Sequence, residues 1–291
     1  MKQRISSKWA TVGTMMVALF GWFALAGGLQ ANTDGEGFET ISDQFDIFNK
    51  GYIQVVGYSE AGQSRFRAVR AATVVAQRDI LEIFKGVAVD GETTVNDGML
   101  ESDVIRTRVS GFLRGAQKCG VRYDARERYA EVCLRLYMHG EKGAYKAILP
   151  TLQEQGMVQQ GMSGGIQNVN SAPAVSSEPE FDGLVIEMAG KNFKPAIVNR
   201  ILADNGNVIF DPSKIVNAIL IERGCGGFTN KVDKAKGLLA SWGVKKPLIV
   251  KAHDTNKGTD VIVTSSHAAS ITASDQVSSY LSQAKVVFVV N

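Results

Sequence analysis

"SRFRAVRAATVVAQRDILEIFKG", residues 64–86, mixes four arginines with a long apolar series. It reads either as a basic helix for nucleic acid or a membrane surface, or as a core helix with a charged back. Phe66, Val69, Thr73, Ala76, Ile80 and Phe84 recur three or four residues apart and so form one helical stripe, which Val74, Leu81 and Ile83 widen. Arg65, Arg67, Arg70 and Arg78 fall outside that stripe, with Asp79 and Glu82 among them. The pattern therefore predicts a core helix that buries its apolar side on a sheet and shows its arginines to water or to a neighbouring subunit. Ser64 is placed as its N-cap and Gly86 as its stop. The formal net charge of the chain is only +3, too small to imply a nucleic-acid partner.

Around this helix the expected order is strand, helix, strand, then two longer antiparallel strands. "GYIQVVGYSE" supplies the first strand, and "VAVDGETTV" alternates with period two and reads as the second. "ESDVIRTRVSG" is expected to begin as a short helix, and "GFLRGAQKCGVRY" and "YAEVCLRLYMHG" form a hairpin about the polar turn "DARER". A turn centred on Arg126 would place Cys119 opposite Cys133 and Tyr123 opposite Tyr129. Opposed residues on one face are close enough for a disulfide, so Cys119–Cys133 is the expected bridge. Cys225 is then left over and is expected to be a small buried thiol.

The chain starts with Lys2, Arg4 and Lys8, continues with the uncharged "WATVGTMMVALFGWFALAGGL", and turns polar at "QANTDGEGFE". This is the pattern of a secretory signal. Ala24-x-Ala26 and Leu29-x-Ala31 are both candidate cleavage sites, and cleavage after Ala31 is favoured because Gly27 and Gly28 break the apolar helix just before it. An uncleaved membrane anchor is the alternative, since the apolar run is about long enough to span a bilayer. Export would place the cysteines in an oxidising compartment.

Residues 151–180 are rich in Gln, Gly, Ser and Asn and read as a helix end followed by a flexible connection. The expected organisation is a signal at 1–31, an α+β domain at 47–150 with one long helix on an antiparallel sheet, a linker at 151–180, and a second α/β or α+β domain at 181–291. In the second domain "GLVIEM", "NVIF", "PLIVKAH", "DVIVTS" and "AKVVFVV" read as strands, with helices at "NKVDKAKGLLASW" and "ASDQVSSYLSQ". "NKGTD" reads as the turn of a hairpin joining "PLIVKAH" to "DVIVTS", and the terminal strand is expected to be paired in a sheet.

The chain offers little catalytic chemistry to the reader. His139, His253 and His267 are the only histidines, none at helical spacing from another, and no Cys or carboxylate pair has metal-ligand spacing. "GCGGF" at 224–228 lacks the Lys and Ser/Thr of a phosphate loop and reads as a tight loop. No catalytic residue, cofactor or metal site is expected.

"VVGYSE", "RAVRAATVVAQRDILEIFKGVAVDGETTV", "LESDVIRTRVSGFLRGA" and "AEVCLRLYMHG" together resemble the twenty-kilodalton surface lipoprotein family and the related N-terminal domains of flagellar assembly protein T and flagellar protein P, over residues 50–143. The resemblance implies a non-enzymatic protein of the bacterial envelope, with relatives that build rings or disks around the flagellar motor. The chain departs from the lipoproteins in having no cysteine near the signal for lipid attachment. The implied setting is the periplasm with peripheral outer-membrane contact. The implied partners are further copies and other envelope or flagellar basal-body proteins. The alternative is a periplasmic module that holds a small ligand or glycan in its second domain.

Overall fold

The computed structural model of the protein describes residues 38–113, 115–154, 156 and 180–290. The expected signal with its cleavage point at Ala31 lies outside the described residues, as does nearly all of the expected linker. Among the described residues no helix is long and apolar enough to cross a membrane.

The fold is α+β. In the first half, α1 (Gln44–Lys50) leads into β1 (Tyr52–Tyr58), α2 (Arg65–Lys85), α3 (Val95–Glu101), α4 (Asp103–Leu113), β2 (Gln117–Asp124), β3 (Tyr129–Tyr137) and α5 (Ala144–Glu154). The three strands form an antiparallel sheet in the order β1-β3-β2, with α2 lying on one face. In the second half follow β4 (Gly183–Glu187), β5 (Ile201–Ala203), β6 (Val208–Phe210), a 3₁₀ turn (Pro212–Lys214), α6 (Asn217–Arg223), β7 (Gly227–Thr229), α7 (Val232–Ser241), β8 (Pro247–Lys251), β9 (Asp254–Asn256), β10 (Asp260–Val263), α8 (Ser265–Ser278) and β11 (Val286–Val289). They make two four-stranded sheets. One is parallel, β7-β11-β4-β8, with the terminal strand near its centre; the other is mixed, β6-β5-β10-β9.

Helix α2 is a core helix, but its buried edge is not quite the one the large apolar residues trace. Ala68, Ala72, Ala76, Ile80 and Phe84 are wholly buried. Ala76, Ile80 and Phe84 belong to the expected stripe. Phe66 is 76% exposed and Val74 49%, while Val69 and Thr73 are only half-buried. The cause lies in the strand beneath. Gly57 of β1 has no side chain, and a Cβ built there would lie 2.9 Å from the Ala76 Cβ and closer still to the Ala72 carbonyl oxygen and the Ala76 nitrogen. Backbone contact this close selects alanines every fourth residue and turns the bulky residues of the first turns away from the sheet.

Three other expectations change. "VAVDGETTV" is not a strand. It makes a single bridge, Ala88 to Thr94, because the Asp90 carboxylate accepts the amides of Glu92 and Thr93 and folds the segment into a turn. "ESDVIRTRVSG" is helical throughout most of its length, as the end of α3 and as α4, whose Ile105, Val109 and Leu113 are buried. The hairpin about "NKGTD" joins β9, not β8, to β10. Strand β8 pairs with β4 in the parallel sheet, and the chain crosses to the mixed sheet after Lys251.

The two halves share one apolar core. Phe48 of α1 meets the ring of Phe228 edge-on at 5.5 Å, and Phe228 stacks in turn on Phe288 at 5.4 Å. An extended segment between β4 and β5 is threaded along this seam. Its Ile197 and Val198 amides donate to the carbonyls of Ala88 and Val89 at 3.0 and 2.8 Å. Asn199, wholly buried, accepts from the Ala196 amide and donates to the Thr259 carbonyl at 2.6 Å. Each buried polar group in a non-repetitive segment of this kind needs such a partner.

The helix–sheet contact gives a paired test. Gly57→Ala is expected to destabilise the protein by about 2 kcal/mol, because the added methyl has no room. Gly111→Ala, in the exposed part of α4 with nothing near the new methyl, is expected to stabilise by up to about 1 kcal/mol. Urea midpoints of the two variants check this, and equal shifts would show that the approach at Gly57 is not tight.

Candidate functional site

Three features of the structure bear on function: a disulfide at a sheet edge, a buried cluster of ionisable groups at the seam, and the surface of α2. Cys119 and Cys133 form a disulfide with Cα atoms 5.1 Å apart. The hairpin register behind it differs from the expected one. Asp124, not Tyr123, lies opposite Tyr129, Tyr123 lies opposite Ala130, and Gly120 opposite Cys133. A bulge between Lys118 and Gly120 then shifts the register by one, and Cys119 sits in that bulge. Both sulfurs lie on the face away from α2, where the ring of Phe38 occupies the space that a side chain at residue 120 would need. The Arg135 guanidinium lies 4.1 Å from the Tyr52 ring on the same face and donates two hydrogen bonds to Gln54 Oε1, at 2.9 and 2.6 Å. The bridge ties β2, which has β3 as its one strand partner, to the middle of the sheet.

The seam gathers an imidazole, a phenol and a thiol and takes them out of water. His139 stacks on Tyr145 with ring centres 5.1 Å apart. The Tyr145 hydroxyl and the Cys225 thiol both donate to the Ile197 carbonyl, each at 3.0 Å. Burial pushes the Cys225 thiol up to about 12 and lowers His139 to about 4. The thiol is therefore protonated and the imidazole neutral across the ordinary pH range, and a protonated thiol is a poor nucleophile. Gly224, at φ 69°, is required by this packing: a Cβ there would stand 2.6 Å from the Tyr145 ring. "GCGGF" is thus a tight loop fitted around a tyrosine. Among the described residues no three of His, Cys, Asp and Glu come together as a metal site.

The outer face of α2 is open. Arg65, Phe66, Val69, Arg70, Thr73, Val74, Gln77 and, across from them, Lys118 of β2 line a groove of about 680 Å³. Its lining combines the apolar Phe66, Val69 and Val74 with the basic Arg65, Arg70 and Lys118, and among the described residues none of these three cations has an ion-pair partner. Sequence reading assigned Phe66 and Val74 to the core and so missed this surface. The usable signal was the row of alanines at 68, 72 and 76 facing the glycine of "VVGY". In the second half, a cleft of about 390 Å³ between the β5–β6 turn and α8 is lined by Asn205, Asn207, Ser265, Thr272 and Gln276, among small apolar residues.

Residues 183–291 match a family model described as Treponema pallidum Tp0624, second domain. The match begins at the first residue of β4 and takes in the whole second half. No curated protein matches the chain.

His139 makes stability pH-dependent. Its folded value lies below the ordinary 6.5, so the unfolded chain binds the proton more tightly. The contribution is complete above pH 6.5, falls as the pH drops toward 4, and amounts to about 3–4 kcal/mol at most. Urea midpoints at pH 7 and pH 4.5 measure the loss, and His139→Phe, which keeps the stack on Tyr145, is expected to shrink it. An unchanged difference in that variant would place the titration elsewhere. Cys225 is expected to resist a thiol reagent in the native protein and to react only on unfolding.

Proposed function

We propose that the protein is an exported, non-enzymatic structural or assembly protein of the bacterial envelope, working from the periplasm beside the outer membrane as a component of a motor-associated ring or disk. The observation that carries this reading is the open apolar groove on α2 with its unpaired basic side chains. Apolar side chains left open along one helix face beside unpaired basic groups offer a partner both burial and charge. The export signal read at residues 1–31 and the resemblance of residues 50–143 to envelope and flagellar domains support the same reading. The match of the second half to a domain of a Treponema pallidum protein agrees with a bacterial origin. Its partners on this reading are further copies of the chain and other envelope or basal-body proteins.

A second reading, a ligand- or glycan-binding module, draws on the cleft in the second half. Asn205, Asn207, Thr272 and Gln276 offer the amide and hydroxyl groups that pair with sugar hydroxyls.

Fractionation of native cells, with isolation of flagellar basal bodies, separates the two. The assembly reading expects the mature chain, starting at Asn32 by mass spectrometry, in the envelope fraction as a multimer, with copies in the basal-body preparation. A soluble monomer absent from both preparations would overturn it and move the weight to the binding reading.

A further inference from the structure

Helix α2 lies across β1 and β3 and leaves the β2 side of the sheet uncovered. Two unsatisfied features meet along that side. One is the groove, lined by the apolar Phe66, Val69 and Val74 and the basic Arg65, Arg70 and Lys118. The other is β2 itself, an edge strand whose residues from Gln117 to Cys119 are all exposed and whose Val121, on the α2 face opposite buried Val132, is 44% exposed. A strand edge leaves backbone amides and carbonyls without partners, and these template another strand.

We infer that the groove between α2 and the edge of β2 binds an extended segment of another envelope protein, in which apolar and acidic residues alternate, by adding it to the sheet beside β2. The inference rests on the assembly reading only in placing that partner in the envelope. The dimensions agree. Arg65 to Gln77 spans about 18 Å of helix, the length of about five or six residues of strand. In such a strand every second side chain points one way, so about three apolar side chains would enter the groove over Phe66, Val69 and Val74 while the alternate ones stay outside. Carboxylates at the ends and margins would meet Arg65, Arg70 and Lys118, and no carboxylate of this chain lines the groove among the described residues. Charge complementarity selects this occupant over two others. A second copy docking groove against groove would bring two sets of basic side chains together, and like charges across an interface oppose association, so self-association on the assembly reading runs through other surfaces. An anionic bilayer would meet the arginines but has no backbone to pair with β2. The disulfide fits the same role, since it holds β2 in the sheet when its edge is loaded.

The test uses the mature chain from Asn32 and an eight-residue peptide alternating valine and glutamate. Isothermal titration is expected to show saturable one-to-one binding, and amide exchange in Gln117–Asp124 is expected to slow on binding. Phe66→Ser and Arg70→Glu alter exposed side chains, so they leave the fold intact, and each is expected to weaken binding by about 10-fold, the equivalent of about 1.4 kcal/mol. A valine–lysine peptide, and a valine–glutamate peptide N-methylated along one edge, are expected not to bind. Equal binding of the lysine peptide, tight binding of the N-methylated one, or no effect of the two substitutions would each overturn the proposal. So would adsorption to phosphatidylglycerol vesicles, or dimerisation, that the same two substitutions abolish while the peptide stays unbound. If the peptide fails but the chain still enters the envelope fraction as a multimer, the partner chemistry is wrong and the assembly reading stands. If the peptide binds and the chain is a soluble monomer in cells, the reverse holds.

Discussion

The closeness of α2 to β1 at Gly57 is the constraint on which the first half of the molecule depends. Helices normally stand off a sheet by the bulk of their side chains. Here a missing side chain on the strand and methyl groups on the helix bring the two backbones almost into contact. That geometry fixes the rotation of α2 about its own axis. Ala68, Ala72 and Ala76 must face the sheet, so Phe66, about a third of a turn round, and Val74, nearly half a turn round, must face out. The apolar groove on the surface is therefore not a failure of burial. It is the other side of the contact that organises the domain. Farther along the helix Ile80 and Phe84 take over, and Phe84 reaches Phe112 of α4 at 5.7 Å, where the helix has room for large side chains beneath it.

This also explains which parts of the sequence were readable. The hydrophobic period located α2 within a residue at each end, because period is a property of the helix alone. It misjudged the first turns, because which face a helix buries depends on what it packs against, and volume is a poor guide where a strand carries glycine. The β-branched runs "GLVIEM", "DVIVTS" and "AKVVFVV" each became strands because they are buried in the centre of their sheets. Short elements were harder. Strands β5 and β7 are three residues each and carry no period, and "VAVDGETTV" alternates but is captured by the Asp90 turn. The cysteine pair was found through a register one residue out, and the bulge at Cys119 supplies the missing step. The groove on α2 stayed hidden because its apolar residues are those that periodicity sends to a core.

The seam between the halves shows how a chain handles polar groups it has buried. The extended segment from Phe193 to Arg200 has no ladder of its own. Its amides and carbonyls are taken up by the Ala88–Val89 turn on one side and by Asn199, Tyr145 and Cys225 on the other. The cost of stranding any of these groups is about 1–3 kcal/mol each, which is what the bonds to the segment avoid. Stacking of Phe48 into the Phe228–Phe288 pair adds an apolar clamp across the same boundary. A thiol, an imidazole and a phenol are packed into this joint.

What the molecule leaves exposed is of a different character from what it buries. A thiol held near 12 and an imidazole near 4 are withdrawn from reactivity by desolvation, whereas Phe66 is exposed and Arg65 and Arg70 have no ion-pair partner among the described residues. Desolvated ionisable groups cost stability, and here that cost accompanies a fixed relation between the two halves. Exposed apolar area costs solubility, and it persists where another surface covers it in use. The disulfide links the two requirements. Cys119 lies at the bulge of the edge strand and Cys133 in the middle of the sheet, so the bridge stiffens the strand nearest the groove without closing its free edge. A bulge and a lysine are also the devices that keep a free edge from pairing with its like. Lys118 and the bulge at Cys119 are those devices here. Both lie on the one strand of this sheet that the disulfide pins to its neighbour.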